Sequence, residues 1–455
     1  MDRTIAAIST PSGAGGIAVI RISGENAVEV ADKVFFGKDK LKNAPSHTVH
    51  YGFIKDKNGR KIDEVLATVM LAPRTFTAED TVEISTHGGM SASSEVLSAI
   101  ISAGADIAQP GEFTKRAFLN GRIDLSQAEA VIDIINSTNS LAKSNALSQL
   151  EGGLSVEIKN IRNTLVHLAS QMQVIIDYPD EDLEDVTTDD IEEVCAKCLL
   201  DTKKLLQTAD SGKIIRDGIR TAIVGKPNVG KSSLMNALSR TNRAIVTDIA
   251  GTTRDVIEEY INLDGIPLTL ADTAGIHETD DTVEKIGVEK SKEAMENADL
   301  VIVILDASRP LDDDDKAVID DTRDKNRVIL INKTDLENKK TDICSYVPDG
   351  EEVIEISALT GEGIDKLTNY IKNMYNIGEV NSSSGAVITN IRHKKALEDA
   401  SESLENAVNS IRMGMPSDIA SIDINSAIDS LGEITGETVS DLIVESIFHN
   451  FCVGK

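Results

Sequence analysis

Residues 225–232 read Gly-Lys-Pro-Asn-Val-Gly-Lys-Ser, which matches the P-loop pattern G-x-x-x-x-G-K-[ST]. In such a loop the backbone N–H groups cradle phosphates, the lysine neutralises them and the hydroxyl binds Mg²⁺. The pattern therefore predicts a nucleoside triphosphate site within an α/β sheet, with Lys231 and Ser232 in these two roles. The alternative is a glycine-rich turn before an ordinary helix, which would leave the motifs that follow unexplained.

The sequence Asn332-Lys333-Thr334-Asp335 indicates which base such a site would select. A carboxylate at Asp335 would accept hydrogen bonds from both N1–H and the 2-amino group of guanine. Adenine offers no such pair of donors, so hydrogen-bond complementarity favours GTP. The loop at Ser357-Ala358 is a candidate for a further contact with guanine.

Two further motifs lie between these in the chain. Asp272-Thr273-Ala274-Gly275 is typical of the second Mg²⁺ element, and Gly251–Asp255 is typical of a switch that senses the γ-phosphate. In Ras-type GTPases the residue after Asp-x-x-Gly is a glutamine that orients the attacking water, but here it is Ile276. Hydrolysis must be slow, or another group must place the water. The candidates are an activator protein in trans or a nearby side chain, namely His277, Glu278 or Glu284.

The net charge of the 455-residue chain is −29, yet its first 120 residues, with 13 Lys or Arg and 14 Asp or Glu, carry only −1. Such acidity opposes non-specific nucleic-acid binding, which depends on neutralising phosphates. A nucleic-acid contact would need a local basic patch or a basic partner. Such a partner protein could supply most of that contact.

Four scattered cysteines do not form a disulfide framework, and a reducing cytoplasm fits their number. Cys195 and Cys198 form a C-x-x-C without a second pair, so we expect them on a helix face rather than in a zinc or redox site. The sequence contains no signal peptide and no long apolar span. These features predict a cytoplasmic protein without a membrane partner.

Apolar periodicity divides the chain into regions of different character. Strands are expected at 16–22 and 81–85 and a helix at 92–103, which makes residues 1–119 an α+β domain. Long helices are expected at 126–150, 154–176 and 187–209, and again at 396–411 and 418–433. The predicted strands of a doubly wound α/β sheet are 221–224, 268–270, 300–305, 327–331 and 353–356.

The expected fold is therefore multidomain, with an α+β N-terminal domain, an all-α helical domain and an α/β P-loop G domain inserted in the helical one. The boundaries are 1–119 for the N-terminal domain, 120–215 and 378–455 for the two parts of the helical domain, and 216–377 for the G domain. Residues 378–385 are a linker rich in Gly, Ser and Asn. We expect the two helical parts to share one hydrophobic core, because the last segment alone would make only a small core.

The sequence resembles the MnmE (TrmE) family of tRNA-modification GTPases over essentially its whole length. The matching segments are Thr4–Ile8, Ser9–Gly16, Arg21–Gly24, His87–Gly89, Pro110–Thr114, Asp124–Ala130, Asp177–Pro179 and Phe451–Lys455. The resemblance implies an N-terminal dimerisation domain similar to tetrahydrofolate-binding domains, and a cytoplasmic homodimer. It also implies a heterooligomer with the flavoprotein MnmG, which would carry FAD, with NADH as a further candidate.

The family's activity, carried over, is modification of C5 of the wobble uridine of certain tRNAs with a carboxymethylaminomethyl-type group. A tetrahydrofolate derivative, 5,10-methylene or 5-formyl, would be the one-carbon cofactor. The implied K⁺ ligands are Asn228, Thr247, Ile249 and Thr252, and the Mg²⁺ ligands are Ser232 and Thr253. Such a K⁺ could stabilise charge that grows between the β- and γ-phosphates. Glu284 would position the water; the alternative is an ordinary solvated residue. The alternative for Asn228 is a turn-forming side chain after Pro227.

The motifs and the resemblance together predict a set of GTP ligands. They are Asn228, Val229, Gly230, Lys231, Ser232, Ser233, Thr247, Thr252, Thr253, Asp272, Thr273, Ala274, Gly275, Asn332, Lys333, Asp335, Ser357 and Ala358.

The resemblance also implies folate ligands at Arg21, Glu83, Arg122 and Lys455. A carboxylate at Glu83 could grip the amidine-like edge of a pterin, and the basic residues suit an anionic glutamate tail. Without the resemblance, Arg21 and Arg122 would be ordinary surface residues. Cys452 is a candidate nucleophile if its thiol is activated, and a small buried residue otherwise.

Two other classes of function compete with this one. The first is a ribosome-assembly GTPase similar to Era, which would need a basic RNA-binding domain after the G domain, and residues 386–455 are not basic. The second is a folate-dependent one-carbon transferase in which the G domain is only a regulatory binding module.

Overall fold

The computed structural model describes residues 3–11, 13–137, 139–177, 187–241, 259–263, 266–270, 295–336, 346–347, 351–375 and 386–455. The chain folds into two compact units. One comprises Met1–Ile135, Gln149–Cys195 and Asn406–Lys455, and the other comprises Asn136–Ser148 and Ala196–Glu405. The boundaries predicted for the N-terminal, helical and inserted G domains stay a prediction.

The first unit contains a seven-stranded sheet whose strands follow the order β3-β4-β5-β6-β2-β1-β7. Its strands are β1 (Ile5–Ile8), β2 (Ile17–Ser23), β3 (Phe35–Gly37), β4 (Thr48–Lys55), β5 (Lys61–Met70), β6 (Thr81–His87) and β7 (Asp106–Ile107). All neighbours are antiparallel except β1 and β7. The predicted strands at 16–22 and 81–85 are confirmed as β2 and β6.

Alternating burial along these strands separates the two faces of the sheet. Ile20, Ile84 and Ala67 are fully buried, and they lie in one hydrophobic core with Val30 of α1 (Ala27–Val34) and Val96 of α2 (Met90–Ser102). The residues between them, for example Arg21 and Glu83, lie on the other face, which we call the open face. Helix α2 confirms the helix predicted at 92–103.

Further helices of the first unit are α3 (Glu112–Leu119), α4 (Leu125–Asn136), α6 (Gly153–Asp177), α13 (Ser417–Thr435) and α14 (Asp441–His449). Helices α6 and α13 pack against each other, and the Arg162 guanidinium donates to the Ile428 carbonyl oxygen at 3.3 Å. The C-terminal residues Phe448 and Phe451 share a hydrophobic cluster with Leu125 of α4. Helix α6 confirms the prediction at 154–176, and α13 confirms that at 418–433.

The second unit contains a six-stranded sheet of order β13-β12-β11-β8-β10-β9, parallel except for the edge pair β9 and β10. The strands are β8 (Ile219–Val224), β9 (Glu259–Leu263), β10 (Ile266–Leu270), β11 (Leu300–Asp306), β12 (Arg327–Asn332) and β13 (Val353–Glu355). The hydrophobic residues on one side pack with α9 (Lys231–Thr241) and α11 (Ile364–Met374), and those on the other with α10 (Asp313–Asp321). The predicted doubly wound sheet is confirmed.

The single helix predicted at 126–150 is wrong, because the structure has α4 and a separate α5 (Ser140–Leu150). Asn139 causes the break. Its side-chain oxygen accepts from the Ala142 N–H at 2.7 Å as an N-cap, and its amide donates to the Ile215 carbonyl at 3.1 Å. The helix predicted at 187–209 is present as α7 (Thr188–Gln207), followed by α8 (Ala209–Asp217), and α12 (Ile391–Arg412) covers the helix predicted at 396–411.

Both cysteines of the C-x-x-C are buried on α7. Burial raises the pKa of the Cys198 thiol to about 11, which makes its thiolate scarce. Among the helices formed by described residues, none combines the length and apolar character needed to cross a bilayer.

Candidate functional site

The P-loop connects the carboxyl end of β8 to the amino end of α9, where parallel α/β sheets bind ligands. Two glycines make its path possible, because Gly225 and Gly230 have φ angles of 151° and 105°. A Cβ on Gly230 would collide with the Asn332 amide, and one on Gly225 with the Ile304 carbonyl. Asn228 also adopts a positive φ, 64°, which an asparagine tolerates better than most residues.

Lys231, in the first turn of α9, has its ammonium group directed into the loop. The Nζ donates to the Gly225 carbonyl at 2.6 Å and to the Lys226 carbonyl at 2.9 Å. Burial lowers the pKa of Lys231, since desolvation disfavours its charged form. A neighbouring anion would stabilise the charged form of Lys231 and raise its pKa again, so the loop favours a negatively charged ligand. The hydroxyl groups of Ser232 and Ser233 follow in the same turn, and both residues are exposed.

Asn332, at the end of β12, joins the P-loop to the loop after β13. Its Nδ2 donates to the Val229 carbonyl at 2.8 Å, and its Oδ1 accepts from the Ala358 N–H at 2.9 Å. The residue is only 2% exposed, so both bonds are shielded from water. The buried amide therefore fixes the spacing between the predicted phosphate and base regions.

Lys333 adds a second link between the same two regions. Its Nζ donates to the Asn228 carbonyl at 2.8 Å and pairs with the Asp306 carboxylate at 2.6 Å. Burial raises the pKa of Asp306, but hydrogen bonds from Lys333 and Ser308 outweigh burial and keep that pKa below its usual value. The sequence analysis missed Asp306. The position of Asp306 at the end of a predicted strand could have identified it, because the carboxyl ends of the parallel strands form the site.

The predicted base ligand Asp335 is exposed, whereas Ser357 beside it is fully buried. The Ser357 hydroxyl donates to Asp335 Oδ1 at 2.7 Å and orients the carboxylate. A carboxylate has about four lone-pair positions, so Asp335 can still accept from two donors of a base. The structure therefore brings together the predicted GTP ligands of the P-loop, the Asn332–Asp335 segment and the Ser357–Ala358 loop.

The other predicted ligands of this site lie outside the described residues. They are Thr247, Ile249, Thr252, Thr253, Asp272, Thr273, Ala274, Gly275 and Glu284.

The open face of the first sheet contains the predicted folate ligands. Arg21 and Glu83 are direct partners in the register of β2 and β6. Arg21 donates to Glu83 Oε1 through Nε at 2.9 Å and through a terminal nitrogen at 2.8 Å. Both bonds use Oε1, so Oε2 keeps capacity for another donor.

Arg21 is not the ordinary surface residue of the alternative interpretation, because its side chain is 13% exposed. Its guanidinium carbon lies 5.0 Å from the centre of the Phe76 ring and 5.6 Å from that of Phe113. Its second terminal nitrogen is buried without a partner among the described residues. An orphaned cationic donor beside a free carboxylate oxygen is suited to a polar, partly anionic ligand.

Arg122 reaches the same cluster. It donates to the Phe76 carbonyl at 2.8 Å, and its guanidinium carbon lies 5.2 Å from the Phe76 ring centre. Phe76 thus lies against both arginines that were predicted separately. No sequence motif identified Phe76 or Phe113, because their role depends on how distant segments meet.

The C-terminal tail is anchored in the same unit. The Cys452 carbonyl accepts from the Gly111 N–H at 3.3 Å, and Gly454 lies so close to Ile8 that a Cβ would collide. Among the described residues, the Lys455 side chain forms no ion pair with Glu83. Cys452 is exposed, so the interpretation of it as a small buried residue is wrong.

Two family models together match nearly the whole chain. The family model of the MnmE helical domain matches residues 125–452, and that of the GTP-binding protein TrmE N-terminus matches residues 4–122. A tRNA modification GTPase MnmE of Acetivibrio thermocellus is 50% identical and covers 100% of this chain and 99% of that protein. One of the same description from Lactobacillus acidophilus is 48% identical over 99% of this chain and 98% of its own length.

Among solved structures, Era in complex with MgGDPNP and nucleotides 1506–1542 of 16S ribosomal RNA is 28% identical. It covers 40% of this chain and 65% of its own, with a TM-score of 0.28, and a similarity this low carries no functional argument.

Proposed function

The chain belongs to the MnmE family of tRNA modification GTPases, and on that premise we propose that it is a K⁺-stimulated GTP hydrolase that modifies wobble uridine. The observation that best supports GTP binding is the buried Asn332 amide, which hydrogen-bonds both Val229 of the P-loop and Ala358 of the base loop. This arrangement preorganises a phosphate cradle and a guanine-selective carboxylate before a ligand arrives.

The chain's own residues have distinct roles in hydrolysis. Lys231 and the N–H groups at the start of α9 would bind the β- and γ-phosphates, and Asp335 would select guanine. The exposed Ser232 hydroxyl fits a Mg²⁺ ligand, with Thr253, and Asn228 fits a K⁺ ligand, with Thr247, Ile249 and Thr252. When bound, these cations neutralise charge that develops on the phosphates. Glu284 would position the water in place of the glutamine that Ile276 replaces.

The modification itself would use the first unit. Arg21, Glu83, Arg122 and Lys455 would hold a tetrahydrofolate derivative, and the unpaired Arg21 nitrogen and Glu83 Oε2 fit such a polar ligand. That cofactor supplies a one-carbon unit when bound. The exposed Cys452 would act as a nucleophile. We further propose a cytoplasmic homodimer with the three predicted domains, assembled with the flavoprotein MnmG, which carries FAD.

Nucleoside analysis of tRNA tests this function. Purified chain, flavoprotein, folate donor, GTP and unmodified tRNA are combined, and the wobble nucleoside is measured by mass spectrometry. Wild type should form the carboxymethylaminomethyl-type uridine, and Cys452→Ser should not, although its GTP hydrolysis stays normal. Full modification by Cys452→Ser would remove the nucleophile role. Full modification without GTP turnover would favour the one-carbon transferase with a regulatory G domain.

A further inference from the structure

One edge of the first sheet carries a net positive charge in this otherwise acidic chain. Residues 33–61 contain eight Lys or Arg and two Asp, a net charge of +6 with His neutral, whereas the whole chain carries −29. We propose that this edge binds the phosphate backbone and exposed bases of the tRNA, an inference that rests on the tRNA substrate of the proposed function. The basic edge is defined as Lys38, Lys40, Lys42, Lys55, Lys57 and Lys61.

The fold brings three of these lysines around a pair of aromatic rings. Phe36 of β3 lies directly opposite Phe53 of β4. The Lys55 ammonium is 4.5 Å and that of Lys40 5.7 Å from the Phe36 ring centre. The Lys61 ammonium is 3.4 Å from the Phe53 ring centre. Three ammonium groups from three chain segments thus surround one aromatic pair, which a charge run in the sequence alone does not show.

Half of the basic edge is both exposed and without an ion pair among the described residues. Lys38, Lys42 and Lys57 are exposed, and within the described part of the chain no carboxylate lies within ion-pairing distance of them. Lys40 and Lys61 have only long ion pairs, 3.8 Å to Asp32 and 4.0 Å to Glu64. Exposed, unpaired ammonium groups near one another attract a polyanion, because binding releases its counterions.

Exposed aromatic surface lies beside this charge and favours RNA over an acidic protein. Tyr51 is 57% and Phe36 42% exposed, and the Tyr51 ring lies 5.7 Å from that of Phe53. Unpaired bases stack on such rings while lysines bind the neighbouring phosphates. The expected ligand region is therefore a single-stranded loop of the tRNA together with its flanking backbone.

The test measures binding of the full-length protein to a fluorescent tRNA transcript by anisotropy over a range of KCl concentrations. The variant K38Q/K42Q/K57Q removes the three lysine charges that are both exposed and unpaired, and K197Q/K213Q/K366Q removes three exposed charges elsewhere. The first should weaken binding about tenfold or more near 0.1 M salt and reduce the salt slope by about 2. The second should bind within about twofold of wild type, since its lysines lie outside the basic edge.

Tyr51→Leu separates stacking from charge. We expect binding about fivefold weaker or more with an unchanged salt slope, because stacking involves no counterion release. Equal affinity and slope for wild type and K38Q/K42Q/K57Q would overturn the proposal, as would equal weakening by the control triple. Failure of the wild-type chain to bind tRNA would also overturn the proposal, since a partner protein would then make the contact with tRNA.

GTP hydrolysis and sedimentation of K38Q/K42Q/K57Q complete the test. Normal hydrolysis by this variant shows that the proposed GTPase function is intact. A negative binding result would then contradict only the proposal that the basic edge binds tRNA. A fall in sedimenting mass with an unchanged salt slope would overturn the proposal in favour of an interface between two copies of the chain.

Discussion

The nucleotide site of the second unit and the open face of the first are assembled in opposite ways. The nucleotide site consists of short contiguous segments at the ends of parallel strands, which the buried Asn332 ties together. The open-face site consists of single residues from β2, from β6, from the segment between β5 and β6 and from the segment after α3. They meet through antiparallel register and through Phe76. Local sequence therefore specifies the first site, whereas tertiary register specifies the second.

The largest expected effect removes the lysine charge of the nucleotide site alone. Lys231→Ala should reduce GTP hydrolysis about 100-fold or more, because the half-buried ammonium is held inside the loop, where it would stabilise the charge of the phosphates. Folate binding, measured by calorimetry, should not change if the two sites are separate. Lys366→Ala, an exposed lysine of the same unit, is the control. Hydrolysis within a few-fold of wild type would contradict the assignment of the P-loop.

Asn332→Ala tests whether the buried amide organises that site. It leaves the Val229 carbonyl and the Ala358 N–H without their partner, at about 1–3 kcal/mol for each buried group. Affinity for a fluorescent guanine nucleotide should fall about 10- to 100-fold. Asn373→Ala, on the exposed face of α11, should bind normally. Normal binding by Asn332→Ala would mean that the loops are fixed by other contacts.

Glu83→Gln tests the opposite region. It removes the charge that pairs with Arg21 and the acceptor predicted to grip the pterin. Binding of 5-formyltetrahydrofolate should weaken about tenfold, as expected for loss of a charge-assisted hydrogen bond, while GTP hydrolysis stays normal. Glu29→Gln, at an exposed position of α1, serves as the control. Equal folate affinity in both variants would place the ligand elsewhere.

Asp306→Asn should have the smallest effect, and the size of this destabilisation depends on pH. Because the pKa of Asp306 is held below its usual value, its ion pair with Lys333 stabilises the protein above about pH 4 and is lost as pH falls through the lowered pKa. At pH 6 the variant should unfold about 2–4 °C below wild type, and this gap should close towards pH 3. A gap that is independent of pH in thermal scans would rule out the ion pair as its cause.

The sequence predicted much of the nucleotide site because each motif follows a strand of a parallel sheet, whose carboxyl ends share one edge. It did not reveal Asp306 as the partner of Lys333, since no motif marks that residue. On the open face, only a family resemblance selected Arg21 and Arg122, and Phe76 between them had no signal. The break at Asn139 was missed because a cap inside an apolar periodic stretch is outweighed by the pattern on both sides.

Steady-state GTP hydrolysis in KCl and in NaCl, for wild type and Glu284→Ala, tests the central claim that this chain is a cation-assisted GTPase. Glu284 lies outside the described residues. The account predicts strong stimulation of the wild type by K⁺ and its loss in the variant. Equal rates in both salts, with Glu284 dispensable, would contradict it and would mean that the water is positioned by an activating partner.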